Sequence, residues 1–425
     1  MILKTFKRIF GLNEVAFSTL LCNAIEHYDF IVYGILSSTI SKVFFSQDEF
    51  LVSGDSYVGA LLGFLVFASA FAARPFGAVL FGYWGDKRGR KVALEASTFL
   101  LVGSVLGMAM LPTPEVWGVF SVLALLLLRI MQGLAYGAEM GGVVLISESV
   151  GKEQIRVVWV ARIIFMATGM ICGVLVVKIC GAILSHDQMN SWGWRIPFFV
   201  AFLVSLPVPK LRKLIIESAE FTEYKARGRR ENIPKSLMKN ILGVLLIASM
   251  SGLSAGFFYI SVVYMEISNK AGFFEYEFAT VLLAMTASSN LLIKDFQNRR
   301  RLFVVALLLI AVIIFPLTHY ISAGHAVARI AWGIVSGLYL GWYGSFVTLL
   351  FPVGARQTCF SIGYNMGYLI GGLAPALCLW FAHTTGMDIM PQLYIAGFAT
   401  FIALVFAFAV RVEDGRYKLL FCPEM

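Results

Sequence analysis

Glu26 and Asp29 stand three residues apart in the apolar stretch NAIEHYDF, and that spacing sets both carboxyls on one face of a helix, roughly halfway along it. Arg129 falls at comparable depth in a second apolar stretch. Arg74 starts nearer the end of a third, with a side chain long enough to reach the same level. A charged group near a bilayer centre costs about 2.5–3.5 kcal/mol, so it needs a partner or a task. Two carboxyls and two guanidiniums make a neutral network. Arginine stays protonated and can only anchor or pair, so Arg74 and Arg129 fit an interhelical staple as well as a binding site. A carboxyl changes its charge with burial and with a neighbouring arginine, so Asp29 or Glu26 can carry a coupling proton.

Further polar groups share these apolar stretches. Gln132, Tyr136 and Glu139 are spaced four and three and form one stripe, polar enough to line a cavity, with Glu139 either a cavity acid or a packing residue. Gly133, Gly137, Gly141 and Gly142 beside them favour close helix contact. Arg162 can snorkel to the headgroups or meet a substrate carboxylate from below, whereas Lys178 reads as a snorkelling residue. Gly169 and Gly173 form a GxxxG packing pair. In the second half, Phe257, Ser261 and Tyr264 share a stripe with Tyr259 off it, and Tyr364, Asn365 and Tyr368 offer hydroxyls and an amide. Their aromatic faces suit an organic cation, or simply pack. The candidate substrate cavity is therefore Arg74, Arg129, Gln132, Tyr136, Glu139, Arg162, Tyr259, Tyr364 and Asn365. His27 lies beside Asp29, and the other four histidines read as outer-side residues. None has metal spacing, and six cysteines without a CxxC imply neither disulfide nor metal.

The elements that must hold these residues follow from composition. The chain has 425 residues, 59% hydrophobic and only 14% charged, with a mean hydropathy of +0.80. Soluble domains carry about 25% charged residues. Apolar runs of about 18 residues or more recur throughout, which excludes a soluble enzyme, a disordered chain and a disulfide scaffold. An outer-membrane barrel would alternate in runs of about ten instead. Twelve spans are expected near 15–38, 57–81, 92–111, 116–147, 157–184, 194–209, 240–266, 276–293, 302–320, 326–350, 357–381 and 391–411. The first, with Glu26, His27 and Asp29 inside it, reads as an uncleaved helix rather than a signal peptide.

With the N-terminus in the cytoplasm, 26 of the 34 Lys and Arg fall in inside segments, and only Lys42 and Lys270 outside. That split places both termini in the cytoplasm of a bacterial inner membrane. It also accounts for the net charge of +9 without nucleic acid. Residues 210–239 form a polar, basic linker between six-span halves at 1–209 and 240–425, reading as a solvated loop that could also touch anionic lipid. Glu148 is expected at the cytoplasmic end, paired with loop basics. The loops after spans two and eight align at an offset of 209, Asp86 over Asp295, Gly89 over Asn298, and Arg90-Lys91 over Arg299-Arg300, which points to a tandem repeat.

The first of these loops, Gly82-xxx-Asp86-Lys87-x-Gly89-Arg90-Lys91, resembles the cytoplasmic signature of the major facilitator superfamily. NAIEHYDF at 23–30, ARPFG at 73–77, RIMQGLAYGAEMGG at 129–142, WGWRIPF at 192–198 and IGYNMG at 362–367 narrow the resemblance to its metabolite:proton symporters, which include proline/betaine, citrate, 2-oxoglutarate and shikimate transporters. The second loop departs, with Leu291 for the glycine and Phe296 for a basic residue. Asp86 can sit at the positive N-terminus of the third span, with Gly82 allowing close helix approach and Arg90 and Lys91 holding it electrostatically. The resemblance implies that Gly82, Asp86, Gly89, Arg90 and Lys91 latch the cytoplasmic side. The fold expected is an all-α polytopic membrane protein of twelve transmembrane helices in two six-helix bundles. No GxxxxGK[ST] occurs, so ATP-driven transport and a nucleotide cofactor are not expected. The expected function is proton-coupled symport of a small organic solute by a monomer in contact with membrane lipid. Proton-coupled export of an organic acid or carboxylate siderophore, and a solute sensor without flux, are the alternatives.

Overall fold

A computed structural model describes residues 11–12, 14–45, 56–150, 154–213, 215–228, 231–260, 296–347, 350–413 and 416–419. The long helices are α1 (Glu14–Phe45), α2 (Ser56–Arg88), α3 (Arg90–Ala109), α4 (Val119–Gly137), α5 (Glu139–Ser149), α6 (Ile155–Ile183) and α7 (Arg195–Ser205). Three short helices follow, α8 (Val208–Lys213), α9 (Ala219–Ala226) and α10 (Ile233–Lys239). The chain then continues through α11 (Ile241–Tyr259), α12 (Phe296–Ser322), α13 (Ala326–Val347), α14 (Arg356–Thr385) and α15 (Met390–Phe408). Every expected span except the eighth has a helix or helix pair at its place. The eighth lies outside the described residues, as do Ser261 and Tyr264 of the seventh, Lys270, and the loop position Asp295. Among the described residues seven helices are long and apolar enough to cross a membrane, or eight if a pair bent by 48° around Trp194 is one span. The protein is a helical, multi-pass membrane protein.

Two compact units divide the chain. The first holds residues 1–142 and 161–217, and the second holds 143–160 and 218–425. In the first, α2 and α4 touch backbone to backbone because glycine faces the contact. A methyl on Gly133 would stand 2.1 Å from the Ala70 carbonyl oxygen, and one on Gly137 2.4 Å from the Ala78 nitrogen. That approach brings Arg74 on α2 beside the polar stripe of α4. The Gly169–Gly173 pair does the same between α6 and α1, where a methyl on Gly169 would lie 1.9 Å from the Ala24 carbonyl oxygen. Fully buried Trp194 packs on Phe44 and Phe198, with ring centroids 5.6 and 6.3 Å away. Arg195 beside it donates from Nε and Nη2 to the Leu111 carbonyl (3.2 and 2.8 Å), just past the end of α3, satisfying an oxygen the helix end leaves open.

In the second unit α11 and α14 meet through Gly363, Gly367 and Gly371; a methyl on Gly367 would stand 2.3 Å from the Ala248 carbonyl oxygen. α12 and α15 pack through Phe303 and Phe406, centroids 5.0 Å apart. Trp159 belongs to this unit, packing on Tyr343 at 5.6 Å and Phe360 at 6.4 Å.

Three expectations change. The linker is not a solvated loop: Arg212, Ile215, Phe221 and Ile233 are buried, and Ser218 and Asn232 cap α9 and α10 by accepting from the Phe221 and Lys235 amides at 3.1 Å each. Asn298 lies inside the first turn of α12, so it is not the counterpart of the turn glycine Gly89, whose φ is +130°. The last span stops at Phe408, after which Val410–Glu413 and Arg416–Leu419 pair as an antiparallel β1–β2 ribbon, its first residue accepting from Arg300 at the start of α12.

Candidate functional site

The first unit gathers eight of the residues singled out by type and spacing, Glu26, Asp29, Arg74, Arg129, Gln132, Tyr136, Glu139 and Arg162, all buried. They do not form one neutral square of Glu26, Asp29, Arg74 and Arg129. Each carboxylate has its own surroundings. Glu139 opens α5, immediately after Ala138 interrupts the fourth span with short-range bonds from Ala138 N to Ala135 O and from Gly141 N to Ala138 O. Such a tightening marks a local departure from regular α geometry. Glu139 accepts from Arg162, from the Asn23 amide and from Arg74 Nη2 at 3.4 Å, so two guanidiniums from α2 and α6 converge on it. Arg162 therefore neither snorkels outward nor lies open to a solute here; it is the Glu139 partner.

Asp29 differs. Its Oδ2 accepts from Gln132 Nε2 at 2.9 Å and from the Tyr136 hydroxyl at 3.1 Å, both neutral donors, while Oδ1 has no partner. Among the described residues no guanidinium lies within ion-pair distance of it. Arg129 instead donates from Nη1 to Gln132 Oε1 at 2.7 Å, and its guanidinium carbon sits 3.8 Å from the Tyr33 ring centroid. Gln132 thus stands between the acid and the base, with its amide donating to one and accepting from the other.

Glu26 pairs with a residue that spacing alone did not single out. Arg212 Nη2 lies 3.3 Å from Glu26 Oε1, and the Tyr136 hydroxyl donates to the Glu26 main-chain oxygen at 2.6 Å. The signal was present in α8: Val208 and Arg212 are four apart, and Val208 packs on Cys22 and Ile25 of α1, so Arg212 follows it inward. Asn23 was likewise missed; it lies one turn before His27 and faces Glu139. His27 turns from Asp29 and bonds the Asn23 carbonyl at 2.8 Å.

At the α2–α3 turn, Arg90 is fully buried; its Nη1 lies 3.3 Å from Asp86 and donates to the Gly85 carbonyl at 3.2 Å. Lys91 holds the segment after α8, its main-chain N–H donating to Glu217 at 3.2 Å and its Nζ to the Lys213 carbonyl at 2.8 Å. Gly82 is buried in α2.

In the second unit, Tyr364 packs against Tyr368 in a tilted pair (4.6 Å) and stacks on Phe360 (6.4 Å), Tyr259 sits against Phe258 (5.2 Å), and Asn365 donates to the Ser361 carbonyl at 2.8 Å. Phe257 packs on Trp332 and Tyr339, a core contact. The same unit holds Arg356, which donates from Nη1 to Glu148 (2.8 Å) and Glu220 (2.9 Å), while Ser218 donates to Glu148 at 2.6 Å. Glu148 therefore does pair with an arginine expected inside. Among the described residues no group of His, Cys, Asp and Glu has metal-binding geometry.

Residues 15–240 match the family model described as sugar (and other) transporter. The chain is 28% identical to the inner membrane metabolite transport protein YhjE of Escherichia coli K12, over 95% of each. It is 26% identical to the citrate-proton symporter of Salmonella typhi, over 86% of each. Its fold matches the major facilitator superfamily proton:xylose symporter XylE with a TM-score of 0.76 at 15% identity, covering 96% of this chain and 97% of that one.

Proposed function

We propose that this chain, which belongs to the sugar (and other) transporter family of the major facilitator superfamily, is a symporter that moves a small carboxylate-bearing solute together with protons. It is a transporter, not an enzyme. The observation that carries the proposal is the unequal setting of three buried carboxylates. Protonating Glu139 would break contacts with two guanidiniums, and protonating Glu26 would break its pair with Arg212. Protonating Asp29 breaks no direct ion pair and removes a charge held only by neutral donors in a low-dielectric interior. Asp29 is the proton site in this reading, and Glu26 and Glu139 are structural.

Charge supports the solute class. Among the described residues of the first unit, with the Arg90–Asp86 pair set aside, four buried arginines, Arg74, Arg129, Arg162 and Arg212, accompany three buried carboxylates, a balance of one positive charge among these seven, and two once Asp29 is protonated. A proline- or betaine-like zwitterion and an organic acid both bring a carboxylate to answer it. The candidate contacts in the first unit are Arg129, Gln132 and Tyr136, and in the second unit Tyr259, Tyr364 and Asn365 are candidates by residue type alone. The loop residues Gly82, Asp86, Gly89, Arg90 and Lys91 would latch the cytoplasmic side. An inner-membrane location with both termini cytoplasmic rests on the distribution of Lys and Arg.

The test is purified protein in liposomes enclosing a pH-sensitive dye, with proline, betaine, citrate, 2-oxoglutarate, shikimate and a carboxylate siderophore added singly outside. Luminal acidification with one solute is the expected result. Alkalinisation would replace symport by exchange and favour the exporter, and binding without any proton or solute flux would favour a sensor.

A further inference from the structure

We propose that the Gln132 side-chain amide links protonation of Asp29 to the use of Arg129 by a substrate carboxylate; this rests on the proton-coupled reading above. An amide has a donor end and an acceptor end, and here each faces the group that needs it. Nε2 points at the carboxylate of Asp29 (2.9 Å) and Oε1 at the guanidinium of Arg129 (2.7 Å). The opposite orientation would set oxygen against oxygen and N–H against N–H.

Adding a proton to Asp29 changes which orientation is good. An O–H bond forms on Oδ2, and the proton then needs an acceptor where an N–H now stands. Half a turn about the last torsion of Gln132, which is broad and nearly two-fold, brings Oε1 to Asp29 and Nε2 to Arg129. The Nη1 hydrogen that Gln132 accepted is then turned over to a carboxylate oxygen of the solute. Tyr136 accommodates either state, because its hydroxyl has one hydrogen and two acceptors, Glu26 O at 2.6 Å and Asp29 Oδ2 at 3.1 Å. Its hydrogen stays on the Glu26 main-chain oxygen when Asp29 is neutral, and the Asp29 proton goes to Gln132 Oε1. Proton and solute each make room for the other, and by linkage each raises the affinity for the other by the same factor.

Among the described residues, other charged and titratable groups near Asp29 are engaged elsewhere, His27 with the Asn23 carbonyl. On α1, Tyr28 donates to the Pro197 carbonyl of α7, Tyr33 lies under Arg129, and Glu26 is held by Arg212 of α8. On α2, Arg74 lies 5.6 Å from the Tyr136 ring centroid and pairs with Glu139; on α6, Arg162 is also taken by Glu139, and Cys172 is near Tyr28. None of these offers the reversible donor–acceptor pair that Gln132 does.

The experiment measures equilibrium binding to the purified full chain at about pH 6 and about pH 8 with 2-oxoglutarate and betaine as probes, whose own carboxylates stay ionised throughout that range. In the wild type the bound probe is expected to bind about tenfold or more tightly at the lower pH. Gln132→Leu should shrink that ratio to about twofold or less. The isosteric Gln132→Glu, the fallback if the leucine variant does not fold, keeps an acceptor on Arg129 and should bind weakly at both pH values. A folded variant of either kind that retains the wild-type ratio overturns the proposal. If the wild type binds neither probe, the solute class of the preceding section fails, and the link is judged on ligand-free protein by infrared difference spectra. A carboxyl band lost in Asp29→Asn must then rise together with a change in the side-chain amide and guanidinium bands. A carboxyl band rising alone overturns the link.

Discussion

Arg212 reaches Glu26 across 186 positions of sequence and holds it at 3.3 Å, with both side chains nearly closed to solvent at 3% and 9% exposure. The pair ties the end of the sixth span to the middle of the first. Removing one partner strands a buried charge, so Arg212→Leu should destabilise the fold by about 3–5 kcal/mol. Glu26→Gln combined with Arg212→Leu should recover part of that loss. Thermal unfolding in detergent of the two single variants and the double variant measures the coupling; additive losses would show that the pair contributes nothing.

Asp29→Asn and Glu139→Gln should differ in kind. The asparagine keeps an acceptor for Gln132 and Tyr136, so solute exchange should survive while uptake driven by a pH gradient falls at least about tenfold and loses its pH dependence. The glutamine withdraws the charge that Arg74, Arg162 and Asn23 converge on, and should lower both exchange and stability. Counterflow and gradient-driven uptake on the same liposomes separate the two. Equal effects in both assays would remove the distinction drawn between the carboxylates.

Gly169→Ala and Gly103→Ala add the same methyl to two membrane helices. At Gly169 it would meet the Ala24 carbonyl oxygen at 1.9 Å; at Gly103 nothing lies within 4 Å. The first should cost about 1–3 kcal/mol through forced separation of α1 and α6. The second should be neutral or stabilise by about 0.5–1 kcal/mol. Melting temperatures and folded yield give the comparison.

Arg356 fastens the linker by gripping Glu148 on α5 and Glu220 on α9 together. Arg356→Ala should release α9, and trypsin should then cut near Lys225 and Arg227 about tenfold faster or more. Ser218→Ala removes one hydrogen bond and the α9 cap, and should accelerate cleavage less. Unchanged cleavage in Arg356→Ala would show that α9 is held by its apolar contacts alone.

Spans were legible because each needs only a run of apolar residues, a property of one segment at a time. Helix faces were legible in part: Gln132 and Tyr136 share a stripe by spacing and both reach Asp29, whereas Glu139 lies past the interruption at Ala138 and meets Arg162. Pairing was not legible. Which arginine meets which carboxylate depends on helix rotation and on close approach at Gly133, Gly137 and Gly169, none of which a charge count contains. Arg212 sits among the basic residues of an apparent loop, and only the four-residue step from Val208 hints that it turns inward. The Asn298 comparison failed for a related reason: two aligned loops can match in charge while only one has the residue that permits φ near +130°.

Gly89 has a mechanical consequence. It is the sole residue between α2 and α3, so two torsions separate thirty-three residues of one rod from twenty of the next. A joint that short has no slack for sliding: the ends of the rods at Gly89 can pivot but cannot part. Any movement of one rod at this end must carry the other as a hinged couple, and inserting even one residue would turn α3 about its own axis by roughly 100° relative to its neighbours.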